Sequence, residues 1–278
     1  MTAAAEVAGE GPTVMLIHGQ PGSASDWAAV VPLLAERYRV VSFDRPGYGR
    51  NAAPAGDFAA NAHALVEVMD QMAAKQAILV GHSWGGGVAL HVAAHFPQRV
   101  AGLVLVASVS PLSPSSAADR LLARQPLGDV MTAAAFVVGG RVLSLPPVGW
   151  LMARRLPLAA QRALGGWSTA GDHRRMARSF TIEQRAFVDQ LPGLAGTLRG
   201  IAVPTTVVTG DSDHVVAPTV SGRLAAAISG AELVRVAGAG HLLPLDRPEA
   251  VASAVDDVAA RGGLRERRRP AKSDSGPS

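Results

Sequence analysis

Gly81-His82-Ser83-Trp84-Gly85-Gly86 follows the apolar run Ala77-Ile78-Leu79-Val80 and leads into a helix-like run, Val88 to His95. A serine with glycines two positions away on each side, set between a strand and a helix, is the pattern of a nucleophile elbow. The glycines have a steric reason. Side chains at Gly81 and Gly85 would collide with the neighbouring strand or helix in so sharp a turn. The serine is then held at the tip on a strained backbone, its hydroxyl beside the positive end of the helix. The same residues also read as a glycine-rich turn with an incidental serine, so the rest of the chain decides.

Outward from this stretch, short apolar strands alternate with helices. Thr13–Ile17 is a strand ended by His18-Gly19-Gln20-Pro21-Gly22, and Ser25 is placed to cap a helix over Asp26–Arg37. Tyr38–Phe43 is the next strand, followed by the turn-rich Asp44-Arg45-Pro46-Gly47-Tyr48-Gly49-Arg50 and a helix over Asp57–Ala74. Beyond the central stretch come strand Val100–Ala107, strand Val203–Thr209, helix Thr219–Ile228, strand Leu233–Val236 and helix Pro248–Ala260. This alternation implies an α/β architecture with a doubly wound, mostly parallel sheet. It breaks over residues 110–199, which are proline-rich and hold helical candidates at Ala117–Arg124, Val130–Val138, Gly149–Arg155 and Thr181–Gln190. The expected organisation is a core of residues 1–109 and 200–260, a helical cap inserted at 110–199, and a disordered basic tail at 261–278.

At 278 residues, 48% of them hydrophobic, the chain can bury one large core. It has no cysteine, which excludes a disulfide scaffold, a thiol nucleophile and a Cys-ligated metal. Met1–Gly11 has no basic and apolar leader pattern, and no run of about 18 apolar residues occurs. A cytoplasmic protein without stable membrane insertion is expected. The sequence pI of about 10.3 suggests nucleic acid, but residues 261–278 carry the entire net charge of +4. No aromatics interleave with those arginines, so a solvated tail is expected rather than a nucleic-acid surface. Residues 110–199 hold eleven arginines against five acids, an excess suited either to attracting an anionic substrate or, the favoured reading, to clamping cap to core. Ala133–Met152 is almost wholly apolar, and Gly139-Gly140 and Pro146-Pro147 are expected to break any long helix there.

A serine hydroxyl needs a base to take its proton, and that base needs an orienting acid. Gly210-Asp211-Ser212-Asp213-His214 follows one strand and Gly238-Ala239-Gly240-His241 follows another. In a parallel sheet the carboxyl ends of the strands share one edge, where active sites collect. Ser83, an acid near 213 and His241 would therefore meet despite their separation in sequence. His214 is a rival base that lacks a glycine loop to reach the elbow. His18 reads as a brace for its loop and His82 as a core group bonded to backbone. His91 and His95, four residues apart on one helix, have a metal-like spacing without a third ligand and read as packing residues.

Four motifs in order, His18-Gly19-Gln20-Pro21-Gly22, Asp44-Arg45-Pro46-Gly47-Tyr48-Gly49, Gly81-His82-Ser83-Trp84-Gly85-Gly86 and Gly238-Ala239-Gly240-His241, resemble the α/β-hydrolase fold superfamily. The likeness spans about residues 12–260 and is weakest in the cap. It implies Ser83 as nucleophile, His241 as general base, and the backbone N–H groups of Gln20 and Trp84 as an oxyanion hole. Asp211 and Asp213 both follow the strand; the resemblance favours Asp213 as the acid and leaves Asp211 to shape the loop. Related dehalogenases and epoxide hydrolases carry an elbow aspartate, so Ser83 points to the serine branch, esterase- or haloperoxidase-like. The expected activity is hydrolysis of a carboxylic ester of a small to medium apolar substrate, Phe136, Trp150 and Met152 helping to make the cap apolar. The same motifs admit a cofactor-free haloperoxidase or perhydrolase, a proline iminopeptidase or a carbon–carbon bond hydrolase. A non-catalytic ligand-binding member is a further alternative. No phosphate cradle or dinucleotide fingerprint is present, so no cofactor and no metal are expected.

Overall fold

The structure is a computed structural model that describes residues 5–143 and 170–264. The helix expected at Gly149–Arg155, the pair Pro146-Pro147, Trp150 and Met152 lie outside the described residues, as do residues 265–278. Seven strands form one sheet: β1 (Ala5–Ala8), β2 (Thr13–Ile17), β3 (Arg39–Phe43), β4 (Ala77–His82), β5 (Val100–Val106), β6 (Thr205–Gly210) and β7 (Glu232–Val236). Their spatial order is β1-β3-β2-β4-β5-β6-β7. Strands β2 to β7 pair in parallel, and β1 runs antiparallel to β3. The helices are α1 (Val31–Ala35), α2 (Phe58–Gln71), α3 (Trp84–His95), α4 (Ala117–Ala123), α5 (Leu127–Leu143), α6 (Ala170–Asp189), α7 (Pro218–Ala227), α8 (Leu243–Asp246) and α9 (Pro248–Arg261).

The period of two along each strand builds two cores. Met15, Ile17, Leu79, Leu103 and Leu105 face one side, where Leu65 and Met69 of α2, Leu90 of α3 and Leu224 of α7 cover them. Val14, Leu16, Ile78, Val80, Val104 and Val106 face the other, under Trp27, Leu34 of α1, Leu243 of α8 and Val255 of α9. Burial on both faces is why β4 reads as a continuous apolar run and not an alternating one. From β2 the chain moves outward to β3, then returns to β4 on the other side of β2. The switch point between β2 and β4 leaves a crevice at their carboxyl ends.

Several expected elements are corrected. The helix over Asp26–Arg37 is two pieces, a 3₁₀ turn at Ala24–Trp27 and α1. Pro32 has no N–H for Ala28, so it cannot continue a helix but can begin one. The first piece is capped by Ser23 rather than Ser25, Ser23 N–H donating to Asp26 Oδ2 at 3.2 Å. Helix α3 begins at Trp84 rather than Val88. The short edge strand β1 was not expected at all. Between β5 and β6 the described residues hold α4, α5, α6 and a 3₁₀ run at Leu191–Gly200, with no strand among them. There α5 continues through Gly139-Gly140 to Leu143, and a Cβ on Gly139 would meet nothing within 4 Å. Two glycines weaken a helix by about 1 kcal/mol each without ending it. Arg261 is no part of a free tail: it closes α9, Nη2 donating to Thr205 O at 3.1 Å and to Asp257 Oδ2 at 2.6 Å. Among the described residues no single helix is long and apolar enough to cross a membrane; Ala117–Ala123 with Leu127–Gly139 qualifies only as a pair bent by 96°.

Asp26 has a pH consequence. Burial, with the nearby Asp44 charge, lifts its carboxyl to about 7 against the opposing pull of the Ser23 amide and Arg45. The folded-state value lies above the unfolded one, so the group's stabilisation is full below about pH 4 and disappears as pH rises to about 7. Asp26→Asn removes this loss. Denaturant midpoints measured at about pH 4 and pH 8 are expected to fall further in the wild type than in the variant; equal falls would contradict the assignment.

Candidate active site

Ser83 joins β4 to α3 with φ 52° and ψ −120°, a conformation that costs a non-glycine residue about 1–3 kcal/mol. Backbone bonds hold it there: Ser83 N–H donates to Val106 O at 2.9 Å, and Ser83 O accepts from Gly86 N at 3.0 Å. The two elbow glycines have the steric role the sequence implies. A Cβ on Gly81 would strike Gly85 O and the Gly86 backbone, and one on Gly85 would strike the carbonyl oxygens of Ile17 and His18. Gly19 approaches from β2; a Cβ there would stand 3.0 Å from His82 Nδ1 and 3.1 Å from Ser83 Cβ. The His18–Gly22 loop is thereby seated directly against the serine.

The Gly238–His241 loop after β7 brings His241 across, and His241 Nε2 lies 3.0 Å from Ser83 Oγ. His241 Nδ1 lies 2.9 Å from Asp213 Oδ2. A carboxylate only accepts, so Nδ1 carries the hydrogen and Nε2 presents its lone pair to the serine. Asp213 is 3% exposed, and its Oδ1 accepts from Val215 N at 2.8 Å and Val216 N at 2.9 Å. Burial pushes its carboxyl up, but the His241 hydrogen bond and charge and the two amides outweigh burial and hold it below the ordinary carboxylate value. Asp211 is exposed. Its Oδ1 accepts from Gly238 N at 2.8 Å, bracing the loop that delivers His241. His214 is exposed.

His82 Nε2 donates to His241 O at 2.9 Å, setting that loop from below. Burial, followed by the neighbouring His241, lowers the His82 ring to about 3, so it is neutral at any ordinary pH. His18 Nε2 accepts from Arg45 N at 3.0 Å, the bracing role expected of it. His91 and His95 stack with centroids 4.1 Å apart on α3.

Trp84 is the first residue of α3, so its N–H has no intrahelical acceptor and lies at the helix's positive end beside Ser83. Its indole stacks on Phe58 at 4.1 Å. The Gln20 side chain is engaged elsewhere, Nε2 donating to Phe180 O of α6 at 2.8 Å.

Sequence reasoning missed two residues here. Arg45 is 0% exposed, as is Glu183 of α6. The two are paired, with Arg45 Nη2 3.3 Å from Glu183 Oε2 and Nη1 paired to Oε1. Tyr48 OH donates to Glu183 Oε2 at 2.7 Å and Arg45 Nη1 to Asn61 Oδ1 at 3.1 Å. Arg45 lies in the quoted Asp44–Gly49 motif, but nothing in that motif signals that its cation turns inward.

A family model described as alpha/beta hydrolase fold matches residues 12–248. The chain is an α/β hydrolase. The 2-hydroxymuconate semialdehyde hydrolase of Pseudomonas sp. strain CF600 is 30% identical to it over 263 residues, 91% of this chain and 88% of that one. A thermophilic esterase from Thermogutta terrifontis superposes with a TM-score of 0.70 at 24% identity, over 93% of each chain. The haloalkane dehalogenase DbeA of Bradyrhizobium elkani gives 0.75 at 22% identity, over 93% of this chain and 94% of that one. At such identities the two structures speak for the hydrolase's fold alone.

Proposed function

We propose that this hydrolase cleaves a carboxylic ester, or a related acyl bond, of a small to medium apolar molecule through Ser83, His241 and Asp213. The observation behind the reading is the continuous hydrogen-bond path from Ser83 Oγ through His241 to the buried Asp213 carboxylate. In the proposed reaction Ser83 Oγ attacks the carbonyl carbon as its proton passes to His241 Nε2. The Asp213 carboxylate stabilises the imidazolium through Nδ1–H. The Gln20 and Trp84 amides would receive the developing oxyanion, where one aligned donor contributes roughly 3 kcal/mol. Collapse expels the leaving group, which takes the Nε2 proton, and water, deprotonated by the same nitrogen, releases the acyl group. The apolar character of the acyl group is inferred from cap residues such as Phe136 and Phe180, whose rings meet with centroids 5.8 Å apart.

A fluorophosphonate probe tests the nucleophile. One covalent adduct per chain is expected, located by mass spectrometry on the peptide that contains Ser83. An adduct on another serine, or none, would overturn the assignment. A panel of p-nitrophenyl esters of increasing acyl length, with aminoacyl amides and a peroxide–halide assay alongside, then separates ester hydrolysis from the other acyl chemistries.

A further inference from the structure

One turn of α6 touches both residues whose amides are proposed to hold the oxyanion. Gln20 Nε2 donates to Phe180 O at 2.8 Å, and Trp84 Nε1 donates to Glu183 O at 3.3 Å. Between these contacts the Glu183 carboxylate grips Arg45. Arg45 in turn reaches the loop after β2: Nη2 donates to Gly19 O at 2.8 Å and Nε to His18 O at 3.0 Å. Gly19 O belongs to the same peptide unit as Gln20 N–H. In a planar trans peptide the C=O and N–H point in opposite directions, so a group fixing one end also aims the other. A cation at the oxygen also draws electron density from the unit and makes its N–H a stronger donor.

The guanidinium has little freedom to do anything else. It is packed between the Tyr48 and Trp84 rings, 4.9 Å and 4.6 Å from their centroids. A pair needed only to clamp cap to core would be complete with Glu183. Here two of the fork's donors go to consecutive carbonyls of the oxyanion loop.

We propose that Arg45 is a positioning residue that aims and polarises the Gly19–Gln20 peptide, and that the Phe180–Glu183 turn couples the cap to this donor. The proposal rests on the reading of Gln20 N–H as an oxyanion donor. It makes the cap a determinant of turnover as well as of binding, because displacement of α6 releases the guanidinium from its counter-ion.

The test compares a p-nitrophenyl ester with its thionoester, in which C=S replaces C=O. Sulfur is a poor hydrogen-bond acceptor, so the ester-to-thionoester ratio of kcat reports the oxyanion donors. Both rates come from one sample, and the ratio is independent of the folded fraction. Arg45→Lys keeps a cation, but one ammonium cannot serve Glu183, His18 O and Gly19 O in the fork's geometry. Its ratio is expected to fall at least about tenfold, a part of the roughly 100-fold or greater loss that follows removal of a whole donor. Glu183→Gln keeps the shape and frees the guanidinium to shift; its ratio is expected to fall in the same direction by less. Asp213→Asn, which impairs the base, is expected to slow both substrates and leave the ratio unchanged. An unchanged ratio in Arg45→Lys overturns the proposal and leaves Arg45 a structural clamp; if that variant does not fold, an unchanged ratio in Glu183→Gln does so instead. Failure of the underlying reading, in which the Gln20 and Trp84 amides receive the oxyanion, looks different: the wild type itself would then show no preference for ester over thionoester.

Discussion

Ser83→Ala is expected to lower kcat on a p-nitrophenyl ester by about 10⁶, the loss that follows removal of the serine in other Ser–His–Asp hydrolases. That corresponds to about 8 kcal/mol of barrier at about 1.4 kcal/mol per decade. No effect of the substitution on folding approaches this size. Alanine keeps the Cβ that the elbow already accommodates, and at φ 52° it carries the same backbone strain as serine. The hydroxyl's hydrogen bond within the fold is the one to His241 Nε2, worth about 1 kcal/mol net. The unfolding midpoint is therefore expected to stay close to that of the wild type while turnover collapses. KM should change little, since Oγ contributes mainly to the transition state. A variant retaining more than about a tenth of the wild-type kcat would remove Ser83 from the mechanism.

The parallel sheet and the serine's neighbourhood were legible because both are written in local sequence. Strands buried on two faces must be continuous apolar runs, and an elbow between strand and helix must have glycine where backbone oxygens of a neighbour approach within contact distance. Gly81 and Gly85 meet that condition. His241 was legible for a related reason: the glycines before it mark a loop able to swing a side chain across the strand ends. The break at Pro32 is written in the sequence too, although Trp27, Val30, Val31 and Leu34 keep helical spacing across it. Trp27, Val30 and Leu34 are buried and Val31 half-buried, from a 3₁₀ turn and a short helix joined through Val30.

The Arg45–Glu183 pair was not legible, and the reason is energetic. A charged side chain is almost never fully buried unless it finds a partner, so a lone arginine in a turn-rich loop is read as solvated. The partner that makes burial tolerable is 138 residues away and comes from α6, in the stretch where the sequence signal is weakest. Residue composition did register an excess of arginine in residues 110–199 and assigned it to clamping cap against core. The buried pair in the structure has the opposite polarity to that expectation, a cation on the loop after β3 held by an acid on α6. Net charge averages over individual residues and cannot reveal such a pairing.

Asp213→Asn and Asp211→Asn are expected to differ by about four orders of magnitude in kcat, although the two residues share a loop. At Asp213, Oδ1 is committed to the Val215 and Val216 amides and Oδ2 to His241 Nδ1. Asparagine retains the amide contacts with its carbonyl oxygen and so turns its NH₂ toward Nδ1. Two donors cannot face each other there. His241 must then carry its hydrogen on Nε2, pointing at Ser83 with no lone pair to take the proton, a tautomer change that costs about 10⁴ in such triads. The acid is charged at every pH where the assay is practical, because its carboxyl lies below the ordinary value. Asp211 accepts from Gly238 N through Oδ1, a contact that an asparagine oxygen reproduces, and the charge it loses is solvated. Its kcat is expected to stay within about threefold of wild type. Steady-state rates of the two variants on one ester separate the roles, because a loop-shaping carboxylate tolerates the amide and a histidine-orienting one does not; the reverse pattern would transfer the acid to Asp211.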